Sequence, residues 1–289
     1  MLFFIDGLGI GARGENNPLA GIENVAPLAH FVNEPSEIIF DGILVPTDPR
    51  LGIEGRPQSA SGQTTILTGI NAPRLLGNHK QGFPNQMLRD VIAEHSIFLQ
   101  LKRKNIEPNV FANAYTPRFF TEKLRWKSAT TCAVEAADLP FRRLPDLLGC
   151  QAVFHDFTND SLIKENFDVP RFSPIEAGAI LVDLTKTNRF TLYEYFITDK
   201  IGHAQNFDAA KIYLPPLAAF IREVLRKIDL ETTTVILTSD HGNIEDLSVR
   251  THTLNDVPTI IWGRQRDEVS AAIKDLTDIT PTILNLLSD

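Results

Sequence analysis

Cysteine is scarce in this 289-residue sequence. Cys132 and Cys150 are the whole complement, and no C-x-x-C spacing occurs. That pattern excludes a disulfide framework and reads as two free thiols in a reducing compartment. Long apolar runs are also missing. None approaches the 18 residues or so that a membrane-spanning helix needs. The opening Met-Leu-Phe-Phe-Ile-Asp run is too short for a signal peptide and lacks a basic flank, so a cytoplasmic location is the expectation. Basic excess is absent: net charge is −8 and the pI near 5.4. A nucleic-acid-binding face is therefore not expected. An anionic substrate stays open, because bound cations reverse a local field. There is no internal repeat, low-complexity stretch or clear linker, and the composition is that of a globular chain.

What is present is alternation of strand-like and helix-like segments. Leu2–Ile5, Val110–Ala114, Ala152–His155, Phe190–Thr198, Val235–Ser239 and Pro258–Trp262 read as strands. The unbroken apolar run 235–237 suits a strand buried on both faces. Between them, 86–104 reads as one helix ending in a basic turn, and 174–186 as a helix capped by Ser173 with Pro at its first position. Leu217, Ile221, Val224, Leu225 and Ile228 form a helical stripe that Pro215-Pro216 should open or kink. A terminal helix is expected after the Asp278-Ile279-Thr280-Pro281 run. This order predicts a three-layer α/β/α sandwich with a mostly parallel central sheet. Residues 1–289 read as a single catalytic domain, with room for a small insertion within 86–180, a stretch showing no obvious chemistry.

Four clusters fall at strand ends or turns, where α/β sheets build ligand sites. Asp6 follows the first strand and precedes Gly7, which by itself describes an ordinary turn. Ser59 and Ser61 precede a helix-like run ending at Gly69; a hydroxyl there meets unpaired N–H groups and the positive end of the dipole, a setting suited to phosphate, though also to a plain N-cap. Asp199 and His203 lie four apart and converge on one cation if the segment is helical. Asp240-His241-Gly242 follows the buried strand, with His252 a short way on; carboxylate and imidazole together suit zinc or manganese, the alternative being a buried ion pair. Together Asp6, Ser59, Asp199, His203, Asp240, His241 and His252 supply three carboxylates, three imidazoles and a hydroxyl. His30, His79, His95 and His155 show no ligand spacing and read as background, His79 being nearest to Ser59 in sequence.

The set Asp6-Gly7, Ser59-x-x-Gly62, Asp199-x-x-Gly202-His203, Ser239-Asp240-His241-Gly242-Asn243 and Thr251-His252-Thr253 resembles the alkaline phosphatase superfamily. Within it, the set is most similar to the catalytic domain of cofactor-independent phosphoglycerate mutases and phosphopentomutases. The resemblance implies two divalent metal ions, zinc or manganese. One would be held by Asp199, His203 and His252, the other by Asp6, Asp240, His241 and the Ser59 oxygen. It implies Ser59 as nucleophile, forming a phosphoserine. Two features depart from the mutases: Gln63 stands where they carry His after the motif glycine, and little in the chain corresponds to their large second domain. The Cys/Ser-x-Pro-x-Arg pattern of sulfatases is absent at 59–63. The expected activity is metal-dependent hydrolysis of a small phosphomonoester or phosphodiester. A phosphomutase and a metal-binding pseudoenzyme are the alternatives, and no nucleic-acid or membrane partner is expected.

Overall fold

A computed structural model describes residues 1–36, 38–122 and 126–288. Its centre is a six-stranded sheet in the order β2 (Ile43–Thr47), β8 (Val257–Gly263), β7 (Thr234–Thr238), β1 (Leu2–Ile5), β6 (Phe190–Tyr195) and β3 (Asn109–Phe111). The β1, β3, β6 and β7 strands pair in parallel, whereas β8 runs antiparallel to β7 and β2. A separate parallel pair joins β4 (Ala114–Tyr115) to β5 (Arg142–Arg143).

The period-2 alternation of β1 explains the layers. Phe3 and Ile5 enter one core with Tyr193, Tyr195, Val235, Leu237 and Trp262, covered by the helices Pro174–Thr187 and Phe207–Lys227. Leu2 and Phe4 enter the other with Phe190, Leu192, Ile236 and Ile261, against Ser59–Thr68, Ile97–Arg103, Ala129–Ala136 and Ile279–Ser288. Both sheet faces are covered, which is why β1, β6 and β7 are buried throughout. The architecture is the expected α/β/α sandwich.

Several local expectations are corrected. Segment 86–104 is two helices, Gln86–His95 and Ile97–Arg103, because Ser96 leaves helical geometry at ψ 145° and caps the second with its hydroxyl. Pro215 and Pro216 do not open their helix, which starts at Phe207 under an Asn206 cap and runs through both prolines to Lys227. Leu214, Leu217, Ala218 and Ile221 are buried on either side of the prolines, so packing outweighs the missing N–H groups. Ala152–His155 is not a strand: Val153 forms one isolated bridge to Asn113 before the chain turns away. Phe190–Thr198 stops as a strand at Tyr195, and its last residues begin the next helix. The antiparallel β2 was not anticipated. Its Pro46 masks the strand signal and is tolerated because β2 lies at the sheet edge. Within 86–180, three helices join the core layer and a small apolar cluster forms around Leu147, Phe154 and Leu162, while 123–125 lie outside the described residues.

Candidate metal centre

Three parallel strands deliver the site residues from their C-terminal ends. Asp6 follows β1, Asp240 and His241 follow β7, and Asp199 sits just beyond β6 in the first turn of the helix Ile197–Ala204. His203 lies one turn later, so the pair shares a helical face. The β1 turn depends on Gly7, whose φ is +75° and whose added Cβ would lie 2.9 Å from the Asp199 Cα and Cβ. Ser59 is the first residue of its helix, which has no side-chain cap. Gly62 lets that helix approach the Asp240 loop, since a Cβ there would lie 2.8 Å from the Asp240 carbonyl.

The seven residues anticipated from sequence converge. Ser59 Oγ is 3.0 Å from His241 Nε2, which is 3.2 Å from Asp6 Oδ1 and 3.4 Å from Asp240 Oδ2. Asp199 lies 3.4 Å from both His203 Nε2 and His252 Nε2. The His241 and His252 rings stack with centroids 3.5 Å apart. Two three-residue groupings have metal-compatible geometry: Asp6, Asp240 and His241, and Asp199, His241 and His252. His241 therefore stands between the two halves rather than in one alone. His203 joins the second half through a 3.1 Å approach of its Nε2 to that of His252.

This donor set fits cations. The Nδ1 atoms of His203 and His252 lie 2.7 Å from Arg250 O and 2.8 Å from Pro57 O. A carbonyl only accepts, so each Nδ1 carries the proton and each Nε2 presents its lone pair inward. Two lone pairs facing each other at 3.1 Å repel unless positive charge lies between them. In the other half, Asp6 Oδ1 and Asp240 Oδ2 are buried without a hydrogen-bond partner, a costly arrangement for carboxylates. Burial, and after it the charge of Asp199, pushes Asp6 well above the usual carboxylate range. Burial, then Asp6 and Asp199, does the same to Asp240. Burial also pushes Asp199 upward, but the nearby His252 and His241 imidazoles and the Asn243 amide outweigh it and hold Asp199 at about 2. Burial brings His241 down to about 4. Divalent cations held here would offset both the burial and the mutual repulsion that raise Asp6 and Asp240.

Other residues sharpen the picture. Gln63 donates to Asp6 Oδ2 at 3.0 Å and Asn243 to Asp199 Oδ1 at 2.7 Å, fixing both carboxylates. Ser61 is fully buried; it donates to Gln58 O and accepts from Lys80 N, so it is not free to act as an alternative nucleophile. His79 stands apart, facing Ile53 O. His155, read as background, instead lines the cavity that opens beside Ser59, as do Asn113, Tyr115 and Thr131 from the stretch that showed no chemistry. No helix among the described residues is long and apolar enough to cross a membrane.

Residues 162–288 match the family model described as the Metalloenzyme superfamily. The 2,3-bisphosphoglycerate-independent phosphoglycerate mutase of Ehrlichia canis (strain Jake) is 28% identical over 128 residues, covering 41% of this chain and 25% of the mutase. The corresponding mutase of Antithamnion sp. is 33% identical over 135 residues, covering 43% and 26%. The chain thus matches about a quarter of the length of these relatives. In fold it is similar to the PH0037 protein from Pyrococcus horikoshii, with a TM-score of 0.54 and 13% identity over 99% of this chain and 96% of that one. It is also similar to a cold-active alkaline phosphatase from the psychrophile Shewanella sp., with a TM-score of 0.53 and 12% identity over 99% of both chains.

Proposed function

We propose that this chain, alkaline phosphatase-like in fold and matching the Metalloenzyme superfamily over its C-terminal part, is a two-metal phosphoryl-transfer enzyme that hydrolyses a small phosphate ester. The observation that carries this reading is the pair of half-sites: inward-facing imidazole lone pairs on one side and buried, unpartnered carboxylate oxygens on the other, with Ser59 Oγ at their edge. Residues 1–289 act here as one catalytic unit.

Asp6, Asp240, His241 and Ser59 would hold one cation, zinc or manganese, and Asp199, His203 and His252 the other. Bound there, two divalent cations neutralise the phosphoryl oxygens and favour ionisation of the Ser59 hydroxyl. Ser59 releases its hydroxyl proton to solvent and its Oγ attacks phosphorus; the new Oγ–P bond replaces the ester P–O bond, and the leaving oxygen takes a proton from solvent. The positive end of the Ser59–Thr68 helix faces the transferred group. Gln63 and Asn243 keep the Asp6 and Asp199 carboxylates from rotating. Water then cleaves the Oγ–P bond, releasing inorganic phosphate and restoring Ser59. Solvent reaches the centre, since the His203 side chain remains 39% exposed, and this favours water as acceptor over retention of the phosphoryl group.

The test is to give metal-loaded protein a panel of phosphomonoesters and phosphodiesters together with phosphoglycerate and phosphopentose isomers. Free phosphate and isomer composition are followed together. Phosphate release, or diester cleavage, is expected. Interconversion of isomers without phosphate release would replace this reading with a phosphomutase, and no turnover with any member would leave a metal-binding pseudoenzyme.

A further inference from the structure

Beside Ser59 and Asp199 lies a cavity of about 520 Å³, a volume typical of small-molecule sites. Its wall is built from rings: Phe83, Tyr115, Phe119, Phe154, His155 and Phe196. His155 stacks on Phe196 with centroids 4.5 Å apart and planes 28° from parallel, and Tyr115 meets Phe119 at 4.3 Å. Burial lowers His155 to about 4, so its ring is a neutral plane at physiological pH.

Several polar groups of the same wall, Asn113, Tyr115, Ser128, Thr131 and one oxygen of Glu194, are already engaged within the protein. Asn113 donates to Glu194 O at 2.8 Å and accepts from Glu194 N at 3.0 Å. Glu194 Oε2 accepts from Thr130. The Thr131 hydroxyl lies 2.9 Å from both Ser128 Oγ and Tyr115 Oη. A polyol such as a phosphosugar would reach these groups only by replacing internal bonds, which would leave buried groups unpaired. What the wall offers instead is ring surface. Lys200, exposed and with its Nζ 4.4 Å from the Phe196 centroid, adds positive charge beside that ring.

We propose that this cavity receives the leaving group of the ester and that the leaving group carries a planar aromatic ring, as in an aryl or nucleoside phosphate. The proposal rests on Ser59 as the site of phosphoryl transfer for its orientation, but its test is a binding measurement that needs no turnover. Metal-loaded protein is titrated calorimetrically with methylphosphonate, cyclohexylmethylphosphonate, 1-naphthylmethylphosphonate and a 5′-phosphonate of adenosine. The better aromatic ligand should bind about threefold to tenfold more tightly than the cyclohexyl compound, the increment expected of ring–ring contact beyond apolar burial. Which aromatic compound binds better assigns the ring to a simple aryl group or to a nucleobase. Phe196→Leu, which keeps an apolar side chain of similar size, should erase most of that ratio. Equal affinity for the cyclohexyl and both aromatic ligands, or a ratio unchanged in Phe196→Leu, would overturn the proposal. Absence of phosphate release with the aromatic preference intact would instead count against the hydrolase reading alone.

Discussion

The Glu245 carboxylate accepts the backbone N–H of Gly9 at 3.0 Å, across 236 residues of chain. The same carboxylate accepts from Asn243 N at 2.7 Å, Thr253 Oγ1 at 2.5 Å and Asn255 Nδ2 at 3.0 Å. One buried group thus ties together the loop after Asp6, the loop after Asp240 and His241, and the segment following His252. Glu245 touches no reacting atom, and its role is to hold the three loops in register.

Glu245→Ala should therefore lower stability by about 2–4 kcal/mol, because it leaves several buried donors unpaired. It should also weaken metal binding by about 10–100-fold, as loss of a residue orienting metal ligands does elsewhere. Urea unfolding and metal titration read the two effects separately. A variant that lost stability but kept wild-type metal affinity would show that the loops hold their positions without the clasp.

Metal content tests the ligand assignment. Protein purified without chelator should approach two zinc or manganese ions per chain. Asp240→Asn removes one buried carboxylate charge, and His203→Ala one inward-facing imidazole. Each should lose metal, measured by elemental analysis, and lose activity with it. Full occupancy in either variant would remove that residue from the ligand set.

The carboxylates give the metal-free protein a characteristic pH dependence. Burial raises Glu194 from 4.5 to about 7, and burial raises Asp6 and Asp240 as well. In the native state these groups hold protons that the unfolded chain has released, so stability must fall as pH rises through that interval. The Glu194 contribution is fully present below about 4.5 and is lost as pH passes about 7. Chelated Glu194→Gln should show a stability decline between these limits that is smaller than wild type by about 3 kcal/mol, read from urea midpoints across pH. Identical slopes would mean that Glu194 ionises in the fold without penalty.

The clustering of the candidate residues was legible in the sequence because most of them follow strands closely. Asp6 comes directly after β1, and Asp240-His241 follows β7 after the single residue Ser239. The Asp199–His203 spacing needed only a helical turn, which the structure supplies. Other features depended on tertiary packing. Pro46 concealed an edge strand that only its antiparallel partner β8 makes evident. Ser96 hid a helix break inside an otherwise unbroken pattern. Glu245 and His155 carry no local signal, since one acts through backbone N–H groups distant in sequence and the other through the cavity wall.

Ser59→Ala should retain at least one metal ion and fold normally, since Ser59 is only half-buried and its hydroxyl faces His241 rather than the core. Turnover should fall about 10³-fold or more, as when other nucleophiles are removed. Ser61→Ala serves as a contrast: it removes a buried hydroxyl bonded to Gln58 and Lys80, so its effect should appear chiefly as lost stability.

The central claim is that Ser59 carries the phosphoryl group between substrate and water. Its most direct measurement is acid quenching of metal-loaded protein during turnover of a phosphate ester, followed by peptide mass spectrometry. The account predicts one phosphoryl group on the peptide containing Ser59, localised to that residue, present during turnover and gone once substrate is exhausted. Steady turnover with Ser59 unmodified at every quench time, and undiminished in Ser59→Ala, would contradict it.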